Sequence, residues 1–317
     1  MPHLRFNGDI SLAEWQASAR EKLKELLGLP LQRGESDFEL ERRDSFDGYT
    51  DYRFTVESEP GYFVPCHLLL PDGDKEKYPL TICFSGHGAG MHIALGRAKT
   101  EKDEKSLADW HHRAMGPRSI KEGRAALVIE ARSFGECSVK GYGTSCTETA
   151  KTAILMGRTL IGERVHDAAC ALDAVLKNFP IDEGNIVATG NSGGGTAAYY
   201  FSALDERVSV CAPSCSICTF EGSIIAMEHC MCNHIPSIRR YFEMSDIAGL
   251  IAPRPLVIAA GRTDPIFPIA PTEECFASIQ SIYDSVDSRE KCALLIGDGG
   301  HLNYADLLWD KIHALGY

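Results

Sequence analysis

The sequence predicts an α/β protein built on a single doubly wound, mostly parallel sheet with helices on both faces. Six nearly continuous apolar runs recur along the chain, as expected of strands buried on both faces. Segments with helical periodicity or loop composition separate these runs. The length of 317 residues, with 44% hydrophobic and 9% aromatic residues, suits one large domain with a sizeable core. No internal repeat or long Pro/Ser-rich linker divides the chain.

Residues 1–45 are predicted to form a helical extension that packs on the core. Its clearest part is an amphipathic helix over residues 11–27, because one side carries Leu12, Trp15, Ala19, Leu23 and Leu26. No apolar core of signal-peptide type is found in this segment. We therefore expect a cytoplasmic protein whose twelve cysteines are reduced thiols.

Residues 46–317 are predicted to form the main α/β domain. An antiparallel pair at 52–56 and 62–70 comes first, and the six apolar strands follow at 80–84, 125–130, 186–189, 208–212, 255–260 and 292–296. The clearest helix spans 159–178, and a closing helix spans 303–315. Segments 91–121 and 216–250 are longer than the connections of such a sheet require, so both are predicted to be lid-like insertions that cover a binding site at the edge of the sheet.

The stretch "NIVATGNSGGGTAAYYFSAL" places Ser192 in a G-x-S-x-G pattern between an apolar strand and a helix-forming run. In this context the serine is held on a strained strand-to-helix turn, which only small neighbours allow. Its hydroxyl is then exposed at the carboxyl edge of the sheet, where α/β folds bind ligands. The pattern predicts that Ser192 is a nucleophile.

A serine hydroxyl needs a base and an acid, which in this architecture follow it in the order acid, then histidine. Asp264 follows the strand at 255–260, and His301 follows the last strand in "GDGGHLNY". Asp298 is a rival carboxylate, but it lies in the loop that must deliver the histidine itself. We therefore predict a triad of Ser192, Asp264 and His301.

Acyl transfer also requires two donors for the oxyanion of the tetrahedral intermediate. The backbone N–H of Gly193, directly after the nucleophile, is the first predicted donor. The second is expected from the loop "FSGHGAG" after the strand at 80–84, from the N–H of His87 or alternatively of Ala89.

With these motifs the chain resembles the α/β-hydrolase superfamily, in particular its esterase branch related to acetyl xylan esterases and dienelactone hydrolases. The resemblance rests on "FSGHGAG", "EARSFGECS", "GRTLIGERVHDAACALD", "GNSGGG", "RYFEMSDIAGLIAPRPLVIAAGRTDPIFP" and "GDGGH". The sequence departs from the family pattern at Glu130 and Ser133, where Asp and Gly are usual, and at Ser85, where His is frequent. The resemblance implies an α/β-hydrolase fold and a hydrolase that forms an acyl-serine intermediate, often on acetylated sugars.

A serine carboxylic esterase, with a small-molecule ester such as an acylated sugar as substrate, is therefore the predicted function. Two alternatives are a peptidase related to prolyl oligopeptidases and a non-catalytic binding protein with the same fold. The net charge of −12 disfavours nucleic-acid and anionic-membrane partners, and no apolar run approaches the roughly 20 residues that span a bilayer. Association into a homo-oligomer is left open.

Several other residues have both a functional and a structural interpretation. The segments "CAPSCSIC" and "EHCMCNHIP" contain five cysteines, with His229 and His234 beside the last two. The spacing of Cys230 and Cys232 is unusual for structural zinc, so we predict packed thiols and neither a metal nor a cofactor. Trp110, His111 and His112 could contact substrate or end an exposed helix. Arg132 could face the site or form a structural ion pair.

Overall fold

The computed structural model describes residues 2–35, 38–109 and 113–317. Within these ranges it contains eleven α-helices and nine strands. The helices are α1 (Leu12–Leu27), α2 (Met91–Ala94), α3 (Glu101–Asp109), α4 (Met115–Lys121), α5 (Cys146–Leu155), α6 (Leu160–Asn178), α7 (Gly193–Leu204), α8 (Ile238–Tyr241), α9 (Met244–Gly249), α10 (Ile269–Asp284) and α11 (Ala305–Ala314). The strands are β1 (Glu39–Phe46), β2 (Tyr49–Glu59), β3 (Tyr62–Pro71), β4 (Tyr78–Phe84), β5 (Ala125–Ile129), β6 (Ile181–Asn191), β7 (Val210–Ser214), β8 (Leu256–Gly261) and β9 (Cys292–Gly297).

All nine strands join one sheet in the order β1-β2-β3-β5-β4-β6-β7-β8-β9. The pairs β1–β2, β2–β3 and β3–β5 are antiparallel, and the remaining pairs are parallel. The predicted α/β class with a single, mostly parallel sheet is therefore confirmed. Each of the six apolar runs forms one of the strands from β4 to β9.

The apolar runs are continuous because each strand is covered on both faces. In β8, for example, Leu256 and Ile258 join the core beneath α1, α6, α7 and α10, whereas Val257 and Ala259 pack toward α11 on the opposite face. Successive side chains of a strand point to opposite faces, so both sets must be apolar. The helices α2 and α4 cover the second face beside β3, β4 and β5.

The N-terminal helix has the predicted position. It begins after Ser11, whose hydroxyl and the side chain of Glu14 form a reciprocal capping box. It ends at Gly28, which has a left-handed φ of 77°. The helix is anchored to the distant C-terminal half, because the Gln16 side chain donates to the carbonyl groups of Gly249 and Ala252 at 2.6 Å each.

Strand β1 corrects part of the prediction, since residues 39–46 lie in the segment assigned to a helical extension over 1–45. Its sequence, ELERRDSF, is highly charged, and only Asp44 is even partly buried. As the edge strand it pairs only with β2, so it needs no apolar face toward the core. The alternation that identifies half-buried strands is therefore missing from its sequence.

The carboxyl ends of β4, β6, β8 and β9 meet at one edge of the sheet. Strand β4 lies between β5 and β6, so the chain connections run in opposite directions on its two sides. Ligands bind outside the strand ends at such a reversal point in α/β sheets. The loops that follow these four strands carry Ser85 to Gly90, Ser192, Asp264 and His301.

The two predicted insertions have different structures. Segment 91–121 contains α2, α3 and α4, but Trp110, His111 and His112 lie outside the described residues. Segment 216–250 contains a 3-10 helix at Met231–Asn233, followed by α8 and α9. That these insertions act as lids stays a prediction. None of the described helices is both long enough and apolar enough for a membrane span.

Candidate active site

Ser192 occupies a sharp turn between β6 and α7. Its φ of 56° and ψ of −127° are rarely adopted by residues other than glycine. The neighbouring glycines are required by close packing. A Cβ on Gly190 would lie 2.4 Å from the carbonyl carbon of Gly194, and one on Gly194 would lie 2.0 Å from the Phe84 oxygen. The turn thus presses against the end of β4, and it has the strained geometry of a nucleophile elbow.

Asp264 and His301 form a hydrogen-bonded pair beside this turn. The distance from His301 Nδ1 to Asp264 Oδ2 is 2.8 Å, and the aspartate side chain is fully buried. Its other oxygen, Oδ1, accepts hydrogen bonds from the backbone N–H groups of Ile266 at 2.8 Å and Phe267 at 3.1 Å. The Phe267 ring stacks on the imidazole, with centroids 5.9 Å apart. The orientation of the imidazole is therefore fixed on two sides.

The environment of Asp264 keeps it ionised. Burial by itself would raise the pKa of its carboxyl group, but the hydrogen bond and charge of His301 and the two backbone donors hold that pKa below the usual value. The rival carboxylate, Asp298, is instead 95% exposed and lies 3.3 Å from Arg262. The structure thus brings Asp264, and not Asp298, to the histidine.

Ser192 and His301 line the same cavity, which has a volume of about 480 Å³. Most of its other lining side chains are polar. They come from the loop after β4, from both predicted insertions and from the triad loops: His87, Arg113, Asn191, Glu228, His229, Cys230, Asn233, Ile266, Phe267, Leu302 and Asn303. A larger cavity of about 930 Å³ lies between α1 and α6, and it contains none of the predicted catalytic residues. The chemistry therefore points to the smaller cavity.

Gly193 and His87, the residues of the two predicted oxyanion donors, are in contact. Gly193 is the first residue of α7, so its N–H has no partner within the helix. The ring of His87 packs directly over it, since a Cβ on Gly193 would lie 2.5 Å from His87 Cε1. His87 also lines the cavity, whereas Ala89 does not. Whether the N–H of His87 or that of Ala89 is the second donor stays a prediction.

Two of the lining residues that were not predicted from the sequence, Arg113 and Asn191, connect separate parts of the site. Arg113 donates from Nη2 to the backbone oxygen of His87 at 3.1 Å and from Nη1 to the Ser106 hydroxyl at 2.9 Å. Burial lowers the pKa of this guanidinium. Asn191 donates to the Leu302 oxygen at 2.9 Å, which joins the nucleophile strand to the histidine loop. Arg113 ends a charged run, so its sequence context suggested only a solvated helix face.

Glu130, one of the departures from the family pattern, and the nearby Arg132 both have buried polar partners. Glu130 is buried at the end of β5, where it accepts hydrogen bonds from the N–H groups of Met91 at 3.0 Å and Glu136 at 3.2 Å. Burial raises its pKa to about 7 despite these two donors. Arg132 forms ion pairs with Glu59 and Asp167 at 2.7 Å each, and all three residues are buried. Of the two interpretations of Arg132, the structure supports the ion pair.

The cysteines of segment 211–232 do not form one cluster. Cys211, Cys215 and Cys218 lie apart, each with its thiol directed at a backbone carbonyl. Cys230 and Cys232 meet two residues from elsewhere in the chain, His87 and Cys146. Cys146 lies far along the sequence from both cysteine-rich segments, so no local spacing pattern links it to them.

Comparison with known proteins agrees with this architecture. The profile of a family described as the Abhydrolase family matches residues 1–272. A Bacillus subtilis protein described as a hydrolase, YtaP, is 26% identical over 263 residues, which cover 82% of this chain and 83% of YtaP.

Solved structures show the same fold at low sequence identity. A Bacteroides fragilis protein described as an acetyl xylan esterase has a TM-score of 0.79 at 17% identity, with 94% of this chain and 78% of that chain covered. A glucuronoyl esterase from Solibacter usitatus has a TM-score of 0.72 at 16% identity, with 98% and 95% covered. The resemblance drawn from the sequence motifs is confirmed, and the chain belongs to the Abhydrolase family of α/β-hydrolases.

Proposed function

We propose that the protein is a serine esterase that removes short acyl groups from polar alcohols, with acetylated carbohydrates as the foremost substrates. The observation that carries this proposal is the hydrogen bond from His301 to the buried Asp264, with His301 and Ser192 lining the same cavity. The hydroxyl, the acid and the base occur in this order along the chain, each at the end of a strand, as the fold requires for acyl transfer.

In the proposed mechanism His301 acts as a general base. Its Nδ1 is occupied by Asp264, which leaves Nε2 to accept the proton of the Ser192 hydroxyl. The serine oxygen attacks the ester carbonyl, and the N–H groups of Gly193 and His87 stabilise the oxyanion. The imidazolium then protonates the leaving alcohol. In the second half, His301 activates a water that attacks the acyl-serine and releases the acid.

Asp264 has two functions in this sequence. It holds the imidazole in the tautomer that carries a proton on Nδ1, and its negative charge stabilises the imidazolium that forms during attack. Both functions require an ionised carboxylate, which agrees with the lowered pKa of this group. The serine needs no low pKa of its own, because the proton leaves during attack.

The size and lining of the cavity support a small acyl group and a polar alcohol. A volume of about 480 Å³ lies at the lower end of the range for small-molecule sites. Its polar side chains can pair with sugar hydroxyl groups, whereas a long acyl chain would bury them without partners. The similar structures are described as acetyl xylan and glucuronoyl esterases, and both descriptions name carbohydrate esters. This favours a carbohydrate as the alcohol.

A single-turnover assay tests the proposal. Wild type, Ser192→Ala and a matched serine control, Ser278→Ala on the exposed surface of α10, are mixed with p-nitrophenyl acetate, butyrate and octanoate. Acetate release from acetylated xylo-oligosaccharides is measured in parallel. We expect a burst with acetate in wild type and Ser278→Ala, a smaller one with butyrate, and none in Ser192→Ala.

The outcomes separate the alternatives. A burst in Ser192→Ala equal to that of wild type would refute the nucleophile assignment. Absence of any burst from folded wild type would favour the non-catalytic binding protein. Cleavage of peptide amides at rates similar to ester cleavage would favour the peptidase. Ester cleavage without acetate release from the oligosaccharides would retain the serine esterase and remove the acetylated carbohydrate substrate.

A further inference from the structure

Next to the candidate active site, one histidine and three cysteines converge from three separate parts of the chain. His87 comes from the loop after β4, Cys146 is the first residue of α5, and Cys230 and Cys232 flank the start of the 3-10 helix in segment 216–250. Each offers one donor atom, and the four atoms lie within 4.8 Å of one another. This is the composition of a Cys₃His metal site.

The distances within the cluster suit tetrahedral coordination. Cys232 Sγ lies 3.2 Å from His87 Nε2 and 3.4 Å from Cys230 Sγ. Zinc bound at about 2.3 Å to sulfur and about 2.0 Å to nitrogen would place neighbouring ligand atoms roughly 3.5–3.8 Å apart. These two distances differ from the ideal values by a few tenths of an ångström, and all four donors lie close enough together to enclose one ion after a small rearrangement.

A buried cation beside the cluster supports the same conclusion. Arg164 is 4% exposed, and its guanidinium lies 3.3 Å from Cys146 Sγ and donates to the Arg132 carbonyl at 2.9 Å. Within the part of the chain that the structure describes, no carboxylate forms an ion pair with it. Three thiolates, a neutral imidazole and Zn²⁺ would carry a net charge of −1, which this guanidinium neutralises.

Two of the four ligands are buried, while His87 and Cys230 are half-buried and border the cavity of Ser192. Cys146 and Cys232 are 4% and 1% exposed, and the buried ring of Phe134 packs on the imidazole with centroids 5.2 Å apart. Four protein ligands leave no open position for a water or a substrate, which distinguishes structural zinc from catalytic zinc. The ion would instead join the loop after β4, the start of α5 and segment 216–250.

We propose that His87 Nε2 and the thiolates of Cys146, Cys230 and Cys232 bind one structural Zn²⁺ ion. This revises the prediction of no metal made from the spacing of Cys230 and Cys232 alone. Binding displaces one proton from each thiol and involves no change of oxidation state. The ion positions the His87 ring over Gly193, and thereby the loop that borders the Ser192 turn. It takes no part in the proposed acyl transfer.

Metal analysis of the full chain tests this site. The protein is purified without an immobilised-metal resin, and its zinc content is measured by mass spectrometry for wild type, Cys146→Ser and Cys232→Ser. Cys292→Ser is the matched control, because its thiol is also buried but bonds the Arg289 carbonyl beside β9. We expect about one zinc per chain in wild type and the control, and at least a roughly fivefold loss in the two cluster variants.

A second measurement uses wild type alone, so it remains informative if the cysteine variants fail to fold. Wild type stripped with a chelator is titrated with Co²⁺, which gives intense thiolate-to-metal charge-transfer bands when several thiolates coordinate it. X-ray absorption at the zinc edge should fit three sulfur ligands and one nitrogen. Ser192→Ala should keep its zinc while losing esterase activity, so failure of the metal site and failure of the proposed function remain distinguishable.

Three results would overturn the proposal. The first is folded wild type with zinc well below one per chain that also gives no charge-transfer bands with Co²⁺. The second is full zinc content in both cluster variants. The third is an intact mass two hydrogens lighter than the reduced chain together with absence of metal, which would identify a disulfide within the cluster.

Discussion

Replacing Asp264 by asparagine should disable the proposed base by reversing the tautomer of His301. Oδ1 of Asp264 accepts two backbone N–H groups, from Ile266 and Phe267. An asparagine must keep its carbonyl oxygen at that position, because an NH₂ group there would face two donors. Its NH₂ group is then directed at His301 Nδ1, where the carboxylate oxygen lay at 2.8 Å. Nδ1 becomes an acceptor, and the ring proton moves to Nε2.

A proton on Nε2 prevents the imidazole from accepting the serine proton. Loss of the correct tautomer in a triad of this type lowers kcat by about 10⁴-fold, which corresponds to about 5 kcal/mol of transition-state stabilisation. The fold should be little affected, because the asparagine retains the hydrogen bonds from Ile266 and Phe267. The effect should therefore appear in kcat, with KM changed only slightly.

The measurement is kcat and KM for p-nitrophenyl acetate in wild type, Asp264→Asn and Asp298→Asn, with urea unfolding of each variant. Asp298 is the matched control, since it is a loop carboxylate near the same histidine in sequence but 95% exposed. It should retain nearly full activity. A kcat for Asp264→Asn within tenfold of wild type would refute the reasoning, as would a comparable loss in Asp298→Asn.

Three further predictions concern the turn and its surroundings. Ser192→Gly should be about 1 kcal/mol more stable to urea than Ser192→Ala, because only glycine relieves a φ of 56°, and equal stabilities would contradict the strain. Gly193→Ala should reduce kcat for p-nitrophenyl acetate by about 10²- to 10³-fold, because its Cβ would lie 2.5 Å from His87 Cε1. Gly184→Ala is the control, because a Cβ there would lie at an ordinary 3.4 Å from its nearest neighbour, and its kcat should equal that of wild type. An equal loss of kcat in both variants would count against the donor role of Gly193. Burial raises the pKa of Glu130 to about 7, so the folded state holds a proton that the unfolded state has lost between about pH 4.5 and pH 7. The free energy of unfolding should therefore fall as pH rises through this range, by at most roughly 3 kcal/mol. Urea unfolding at several pH values should show a flatter profile for Glu130→Gln than for wild type, and an unchanged profile would remove Glu130 as the source.

The sheet and the proposed triad could be predicted because their signals are local. A strand buried on both faces must be apolar along its length, so β4 to β9 can be read from short windows of sequence. The turn at Ser192 requires small residues within two positions, and these form a recognisable pattern. Strand β1 lacks such a signal, because an exposed edge strand is stabilised by backbone pairing with β2 and not by burial.

Other parts of the site depend on contacts between residues far apart in the chain. Cys146 gains its significance from the approach of Cys230, Cys232 and His87, which no local pattern encodes. Arg113 lines the cavity because its guanidinium bonds the His87 carbonyl, although its own neighbours in sequence are those of a charged surface helix. For such residues the chain must be folded before their role can be recognised.

The attachment of α1 has a consequence for synthesis of the protein. Gln16 donates to carbonyl groups 233 and 236 residues further along the chain, at Gly249 and Ala252. The ribosome adds roughly 5–20 residues per second, so the carbonyl groups that bind Gln16 are made roughly 10–50 seconds after Gln16 itself. During that time the ring of Trp15, which lies against Gly249 in the finished fold, lacks this cover and is available to chaperones and to other nascent chains.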